Sequence, residues 1–261
     1  MINRIESSSN STVKQVRKLK EKKERQARKR YLIEGSNICR DFFESCPHLA
    51  DQIFVTEEFL HGNPEFVPEG QDLLVVPNHV FQSLCDTKTP QGILIVAKME
   101  DSGLPNRDDG FFVYLDHVAD PGNVGTIIRT ADAAGVDGVI LSPECADLYC
   151  PKTVRSTMGS MFHLRLMREH AYLEELIGLK NQEYQIVTGS LDGVITPYQA
   201  DFRGKVVICL GNEAHGVTKQ LIDIGVTKVK IPIVGRAESL NVSTAAAIFM
   251  YEVVRQRGHW V

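Results

Sequence analysis

The sequence has no apolar run near 18 residues, so no transmembrane helix is expected. Its first 15 residues, MINRIESSSNSTVKQ, place no apolar core behind their charges, so no secretory signal is expected either. The six cysteines, at 39, 46, 85, 145, 150 and 209, form no C-x-x-C pair. Cys145 and Cys150 lack a second pair at matching spacing, which argues against a metal site. Reduced thiols in a cytoplasm are the expected state. No G-x-G-x-x-G turn occurs, and no strand-end acid follows a glycine turn by about 20 residues, which counts against a dinucleotide-dependent oxidoreductase. There is no internal repeat and, one basic run apart, no low-complexity tract. What is present is 261 residues, 43% apolar and 24% charged. That is an ordinary soluble globular composition, enough for one large domain or two small ones.

Net charge is −4, which by itself argues against a nucleic-acid partner. The distribution argues the other way. Ten basic residues stand between Lys14 and Arg30, opposed only by Glu21 and Glu24. The segment carries +8 and leaves −12 for the other 244 residues. A solvated helix face would mix its signs, because like charges a turn apart repel. The asymmetry points to RNA or DNA.

The chain before residue 100 alternates helix and strand. TVKQVRKLKEKKERQARKR has no Gly or Pro and predicts one helix over residues 12–30. YLIEG reads as a short strand. SNICRDFFES reads as a helix that Ser36 can cap. DQIFVT, DLLVVP and GILIVAKM read as strands, with a short helix at PNHVFQSLCD. EDSGLPNRDDG, residues 100–110, is polar and broken by Pro and Gly, and reads as a linker. From 111 to 261 strands and helices alternate again, and runs such as VVICL show no polar alternation. Such strands are buried on both faces of a parallel sheet. The expected layout is a small α/β domain over 1–99, the linker, and a larger α/β domain over 111–261.

Ligands of open parallel sheets bind beyond the carboxyl ends of strands. Three such ends here are rich in Gly, Asn, Ser and Glu. The first is DPGNVGTIIRTADAAG, where Asn123 can cap a helix and Arg129, four residues past Gly125, can clamp a phosphate beside the helix start. The second is LGNEAHGV, where Gly211 lets backbone approach a ligand and Glu213 follows in the turn. The third is IPIVGRAESLNVSTAAA, where Ser239, Leu240 and Asn241 precede a helix. Taken singly, each reads equally well as a helix cap, a surface ion pair or a plain turn.

In this order and context the three segments resemble the SpoU-type RNA ribose 2′-O-methyltransferases of the SPOUT class. The resemblance spans the whole region after the linker, and RKRYLIEGSNICRDFFE resembles the ribosomal-protein-like RNA-binding domain that often precedes it. Two departures are small: Thr244 stands where an apolar residue is usual, and Ala214–His215 where glycine is frequent. The resemblance implies a parallel sheet whose C-terminal part is threaded as a deep trefoil knot. It implies S-adenosylmethionine held by Gly211, Ile231 and Leu240, with Thr188 and Gly189 nearby, and no metal. It implies a homodimer whose site is completed across the interface. By the same match Arg129, Asn123, Asn241, Ser239 and Glu213 surround the reaction centre. The implied substrate is ribosomal RNA of the 23S type, with tRNA as the alternative target. A non-catalytic RNA-binding or ribosome-assembly factor of the same fold is the competing class.

Overall fold

The computed structural model describes residues 1–66, 70–100, 103–105, 107 and 109–258. In chain order the first elements are β1 (Ile2–Arg4), α1 (Ser11–Lys18), α2 (Lys22–Arg28), β2 (Arg30–Glu34), α3 (Ser36–Ser45), β3 (Ala50–Val55), α4 (Glu57–Gly62), β4 (Leu73–Val75), α5 (Asn78–Leu84) and β5 (Ile93–Lys98). There follow β6 (Phe111–Leu115), α6 (Pro121–Ala133), β7 (Gly138–Leu141), α7 (Pro151–Thr157), β8 (Arg165–Arg168), α8 (Glu174–Asn181), β9 (Gln185–Gly189), β10 (Val206–Leu210), α9 (Lys219–Asp223), β11 (Thr227–Val229) and α10 (Val242–Arg257). Contacts divide the chain into two units: residues 1–100 with 147–163, and residues 101–146 with 164–261. Within the expected linker, residues 101, 102, 106 and 108 lie outside the described residues.

The first unit is a five-stranded sheet in the order β1-β4-β3-β5-β2, with β5 antiparallel to both neighbours and the other pairs parallel. Val13, Val16 and Leu19 are buried with Phe54, Phe81, Leu84 and Leu94 on one side of it. The single helix expected over 12–30 is broken. α1 stops at Lys18 and α2 starts at Lys22, although every residue between favours helix. Arg25 accounts for the break: its guanidinium turns inward and donates to the Leu19 and Lys20 carbonyls at 2.8 and 2.7 Å. Those are acceptors that a helix end leaves without partners.

Residues 147–163, which from sequence continue the second domain, make their contacts in this first unit. Asp147 pairs with Arg25, the Tyr149 ring lies 4.7 Å from Tyr31, and Phe162 meets Phe42 edge-on at 5.4 Å. α7 packs on β2. β1, α4 and α7, of three, six and seven residues, are too short for their periodicity to mark them in the sequence.

The second unit is a six-stranded sheet, β11-β9-β10-β6-β7-β8, parallel throughout. β6, β7 and β10 are buried along their whole length, as their uninterrupted apolar sequences require. From β6 the chain steps outward to β7 and β8, then crosses to β9 and returns to β10 beside β6. The direction of winding therefore reverses between β6 and β10. α10 packs against α6 and β10.

Candidate active site

A crevice opens outside the carboxyl ends of two adjacent parallel strands where the winding direction changes. Here those strands are β6 and β10, and their following loops are fastened by a buried acid. Asp116, directly after β6, is fully buried. Its carboxylate accepts from the Thr218 backbone N–H at 2.7 Å and the Tyr172 hydroxyl at 2.8 Å, and lies 2.7 Å from His117 Nδ1. Burial pushes the Tyr172 phenol up, and Asp116 adds to the shift, so the hydroxyl remains a donor. Behind it Tyr114 donates to Glu169 at 2.7 Å. Burial raises that carboxyl, opposed by the Tyr114 hydrogen bond.

The loop after β10 folds back on itself. Asn212 and Gly216 exchange backbone hydrogen bonds, and the Asn212 side chain accepts from the Ala214 N–H and donates to the His117 carbonyl at 3.0 Å. A Cβ on Gly211 would collide with the backbone of Gly216 and Val217. The glycine is needed because the chain's own return crosses it, whatever else approaches.

The loop after β6 enters α6. From sequence Asn123 is the cap of this helix, but the structure gives that role to Asp120, whose Oδ1 accepts from the Asn123 N–H at 3.0 Å. The helix starts earlier because Pro121 is preorganised for its first position. The Asn123 side chain is thereby released. Its Nδ2 donates to Glu213 Oε1 at 2.8 Å, and its Oδ1 accepts from Asn241 Nδ2 at 3.1 Å. Asn241 in turn caps α10, its Oδ1 accepting from the Ser243 N–H at 2.8 Å. The first turn of α6, the cap of α10 and the loop after β10 thus meet in one side-chain chain, Asn241–Asn123–Glu213.

The other candidates stand apart from it. Arg129 is exposed, six residues beyond Asn123, which at about 100° per residue sets it well round the helix from that side chain. Among the described residues it makes no hydrogen bond to Asn123, Glu213, Ser239 or Asn241. Ser239 is exposed in the segment 231–240, with Ile231 half-buried at its start and Leu240 37% exposed at its end. Among the described residues 231–240 make no backbone-to-backbone hydrogen bond. Thr188 is buried and its hydroxyl donates to the Cys209 carbonyl at 3.1 Å, a staple across β9 and β10. Gly189 lies over Phe249, whose ring a Cβ would meet at 2.9 Å.

The basic segment in the first unit is only partly free. Arg25 is buried, Lys20 donates to the Ser83 and Cys85 carbonyls, Arg17 to the Ser83 hydroxyl, and Arg28 and Arg30 pair with Glu24 and Asp51. Lys14, Lys18, Lys22, Lys23 and Lys29 are exposed. Asp116, His117, Asp120 and Asn212 were not singled out from sequence. The signal that could have found them is an acid immediately after a buried strand, and an asparagine within an already notable glycine loop. Among the described residues no group of three or more His, Cys, Asp or Glu could hold a metal, and no helix is long and apolar enough to cross a membrane.

Comparison with known proteins places both units. A model of the SpoU rRNA Methylase family matches residues 110–251, and one of an MRM3-like substrate binding domain matches residues 10–95. The chain is 35% identical over 254 residues to the 23S rRNA (guanosine(2553)-2'-O)-methyltransferase RlmP of Bacillus subtilis (strain 168), covering 95% of this chain and 98% of that one. It is 31% identical over 195 residues to the 23S rRNA (uridine(2479)-2'-O)-methyltransferase of Streptomyces viridochromogenes, covering 72% and 68%. Among solved structures, the AdoMet-bound rRNA methyltransferase from Sinorhizobium meliloti superposes with a TM-score of 0.87 at 30% identity, over 100% of this chain and 99% of that one.

Proposed function

Because this chain belongs to the SpoU rRNA methylase family, we propose that it methylates a ribose 2′-hydroxyl in 23S-type ribosomal RNA, with S-adenosylmethionine as methyl donor. The observation that carries the reading is the Asn241–Asn123–Glu213 chain at the β6/β10 crevice. It joins side chains from all three motif segments, and a purely RNA-binding fold has no use for that convergence.

S-adenosylmethionine supplies an electrophilic methyl group, so the protein's work is mainly positioning. The segment 231–240 suits a nucleoside donor: its backbone groups are unspent, and Ile231 and Leu240 flank it with apolar surface. Gly211, Ile231 and Leu240 are its proposed contacts, with Gly189 at the neighbouring strand end. Thr188 contributes through its place beside Gly189, since its hydroxyl is committed to Cys209. Asn123 and Asn241 orient the ribose and its phosphate, and Glu213 anchors the loop through Asn123. Arg129 grips the adjacent phosphate and stabilises the alkoxide as it develops. Ser239 holds the nucleotide or Arg129.

The site is read as completed in a homodimer, because Arg129 stands outside the asparagine cluster of its own chain. The first unit is read as the RNA-binding domain, with the exposed lysines among Lys14 to Arg30 on phosphates. That domain layout favours ribosomal RNA over tRNA. The C-terminal segment is read as knotted, in line with the path from β11 at the sheet edge back to α10 against α6 and β10. The cytoplasm, where ribosomal RNA is accessible, is the proposed location. Ribose-methylation mapping of total RNA from cells with and without the protein tests the substrate. One 2′-O-methyl mark in 23S-type RNA should vanish with the gene, whereas loss of a tRNA mark, or of none, rejects the proposal.

A further inference from the structure

Methyl transfer to a hydroxyl needs a group to take its proton, and the residues so far assigned do not supply one. A guanidinium stays protonated, and amides and hydroxyls are poor bases. A carboxylate is intrinsically a weaker base than an imidazole, and Glu213 already accepts from Asn123 at Oε1. His117 stands at the same crevice, directly after Asp116 at the carboxyl end of β6. Its φ is +60°, in the left-handed region that a non-glycine residue occupies at a cost. Strain of this kind gathers at functional sites.

Every polar group of His117 but one is tied down. Its N–H donates to Ser142 Oγ at 3.0 Å, its carbonyl accepts from Asn212 at 3.0 Å, and Nδ1 lies 2.7 Å from Asp116 Oδ1. With Nδ1–H donating to a buried carboxylate, the lone pair of the neutral ring is on Nε2. The Tyr172 ring meets the imidazole edge-on at 5.3 Å and sets its plane. The side chain is 33% exposed, and among the described residues Nε2 makes no hydrogen bond. Through Asn212 the residue is joined to the loop that carries Glu213, and through Glu213 to Asn123 and Asn241.

We propose that His117 is the proton acceptor of the methyl transfer, its Nε2 taking the proton of the target 2′-hydroxyl while Asp116 orients the ring and balances the charge it gains. This rests on the methyltransferase reading. The O–H bond breaks with its proton passing to Nε2. The oxygen's electron pair closes on the methyl carbon, whose bond to sulfur breaks with its pair staying on sulfur. The imidazolium then returns its proton to solvent. Of the charged and titratable groups, Asp116 from its own strand end and Tyr172 from the loop before α8 meet the ring, and Glu169 stands behind Tyr172; Glu213 and His215 lie on the loop after β10 that Asn212 ties to the His117 carbonyl.

The test uses the full chain in excess over total RNA from cells lacking the protein, in single turnovers with methyl-labelled S-adenosylmethionine. His117→Asn tolerates φ +60° and keeps an amide donor toward Asp116, but has no basic nitrogen. Its rate should fall about 100-fold or more, the usual share of a general base, with RNA affinity and calorimetric binding of S-adenosylmethionine unchanged. His117→Gly suits the same backbone and removes the ring, and imidazole added to the buffer should restore its rate increasingly as pH rises and the neutral base accumulates. A purely structural role gives no such rescue. A wild-type rate in His117→Asn overturns the proposal. So does a failure of imidazole to rescue His117→Gly, or loss of S-adenosylmethionine binding in both variants. If the wild-type protein transfers no methyl group to that RNA, the methyltransferase reading falls and this one with it.

Discussion

Arg129 and Lys would carry the same charge at this position, but only arginine presents a planar fork to a phosphate. The two roles proposed for it, holding a phosphate and stabilising an alkoxide, therefore separate in one substitution. Arg129→Lys should lower single-turnover rate by about tenfold or more while leaving S-adenosylmethionine affinity intact. A near-normal rate would leave charge alone as the requirement and end the bidentate role. Residue by residue, what could be read in advance follows from what kind of order each position obeys. Asn123, Glu213 and Asn241 lie in glycine-bearing segments after or before buried elements, whose composition marks them, and the structure brings them within hydrogen-bonding distance. Asp120 went unrecognised as the cap because any of Asp120, Asn123 or a residue between could start a helix, and Pro121 decides it. Asp116 offered only its place directly after a buried strand, and His117 had no pattern to betray it. A buried carboxylate is defined by donors from Thr218 and Tyr172, 102 and 56 residues away, and no local spacing encodes those.

At the scale of elements the basic segment shows how far helix propensity reaches. From Thr12 to Arg30 there is no Gly or Pro and most residues favour helix, yet the chain turns after Lys18 because Arg25 finds the freed carbonyls and Asp147. Five of the ten cations serve the unit's own structure in this way. This changes how RNA binding by the segment should be tested. Deleting residues 1–30 removes β1, Val13, Val16 and Leu19 and would damage the sheet and core of the first unit along with any RNA contact. Replacing Lys14, Lys18, Lys22, Lys23 and Lys29 with glutamine removes no described side-chain hydrogen bond and no core position. RNA affinity should fall and its dependence on log salt should flatten, by about 0.7 to 0.9 for each lysine that contacts a phosphate. S-adenosylmethionine binding and thermal stability should be retained. Unchanged affinity and an unchanged salt slope would remove the segment from the RNA interface. The destination of residues 147–163 was illegible for a related reason. A short stretch such as α7 has the same periodicity whichever sheet it packs on, and partners remote in sequence receive it and its flanks, among them Asp86 for Arg155, Tyr31 for Tyr149, Phe42 for Phe162 and Arg25 for Asp147.

At the scale of the whole molecule an arginine and the asparagines it serves can come from different chains. Asn123 faces Glu213 and Asn241, while Arg129 is exposed on another side of α6 and joins none of them within its chain. If two chains related by a twofold axis lend residues to each other, each site takes Asn123 from one protomer and Arg129 from its partner. Asn123→Ala and Arg129→Ala proteins would then each be inactive alone. Unfolded, mixed in equal amounts and refolded together, half of the dimers would be hybrids. Each hybrid would hold one site with both residues intact and one with neither, so about a quarter of wild-type activity should return. A site built within one chain gives a different result, because every chain in the mixture then lacks one of the pair. No recovery above the separate variants, with hybrid dimers confirmed by mass, would put Asn123 and Arg129 in the same protomer's site.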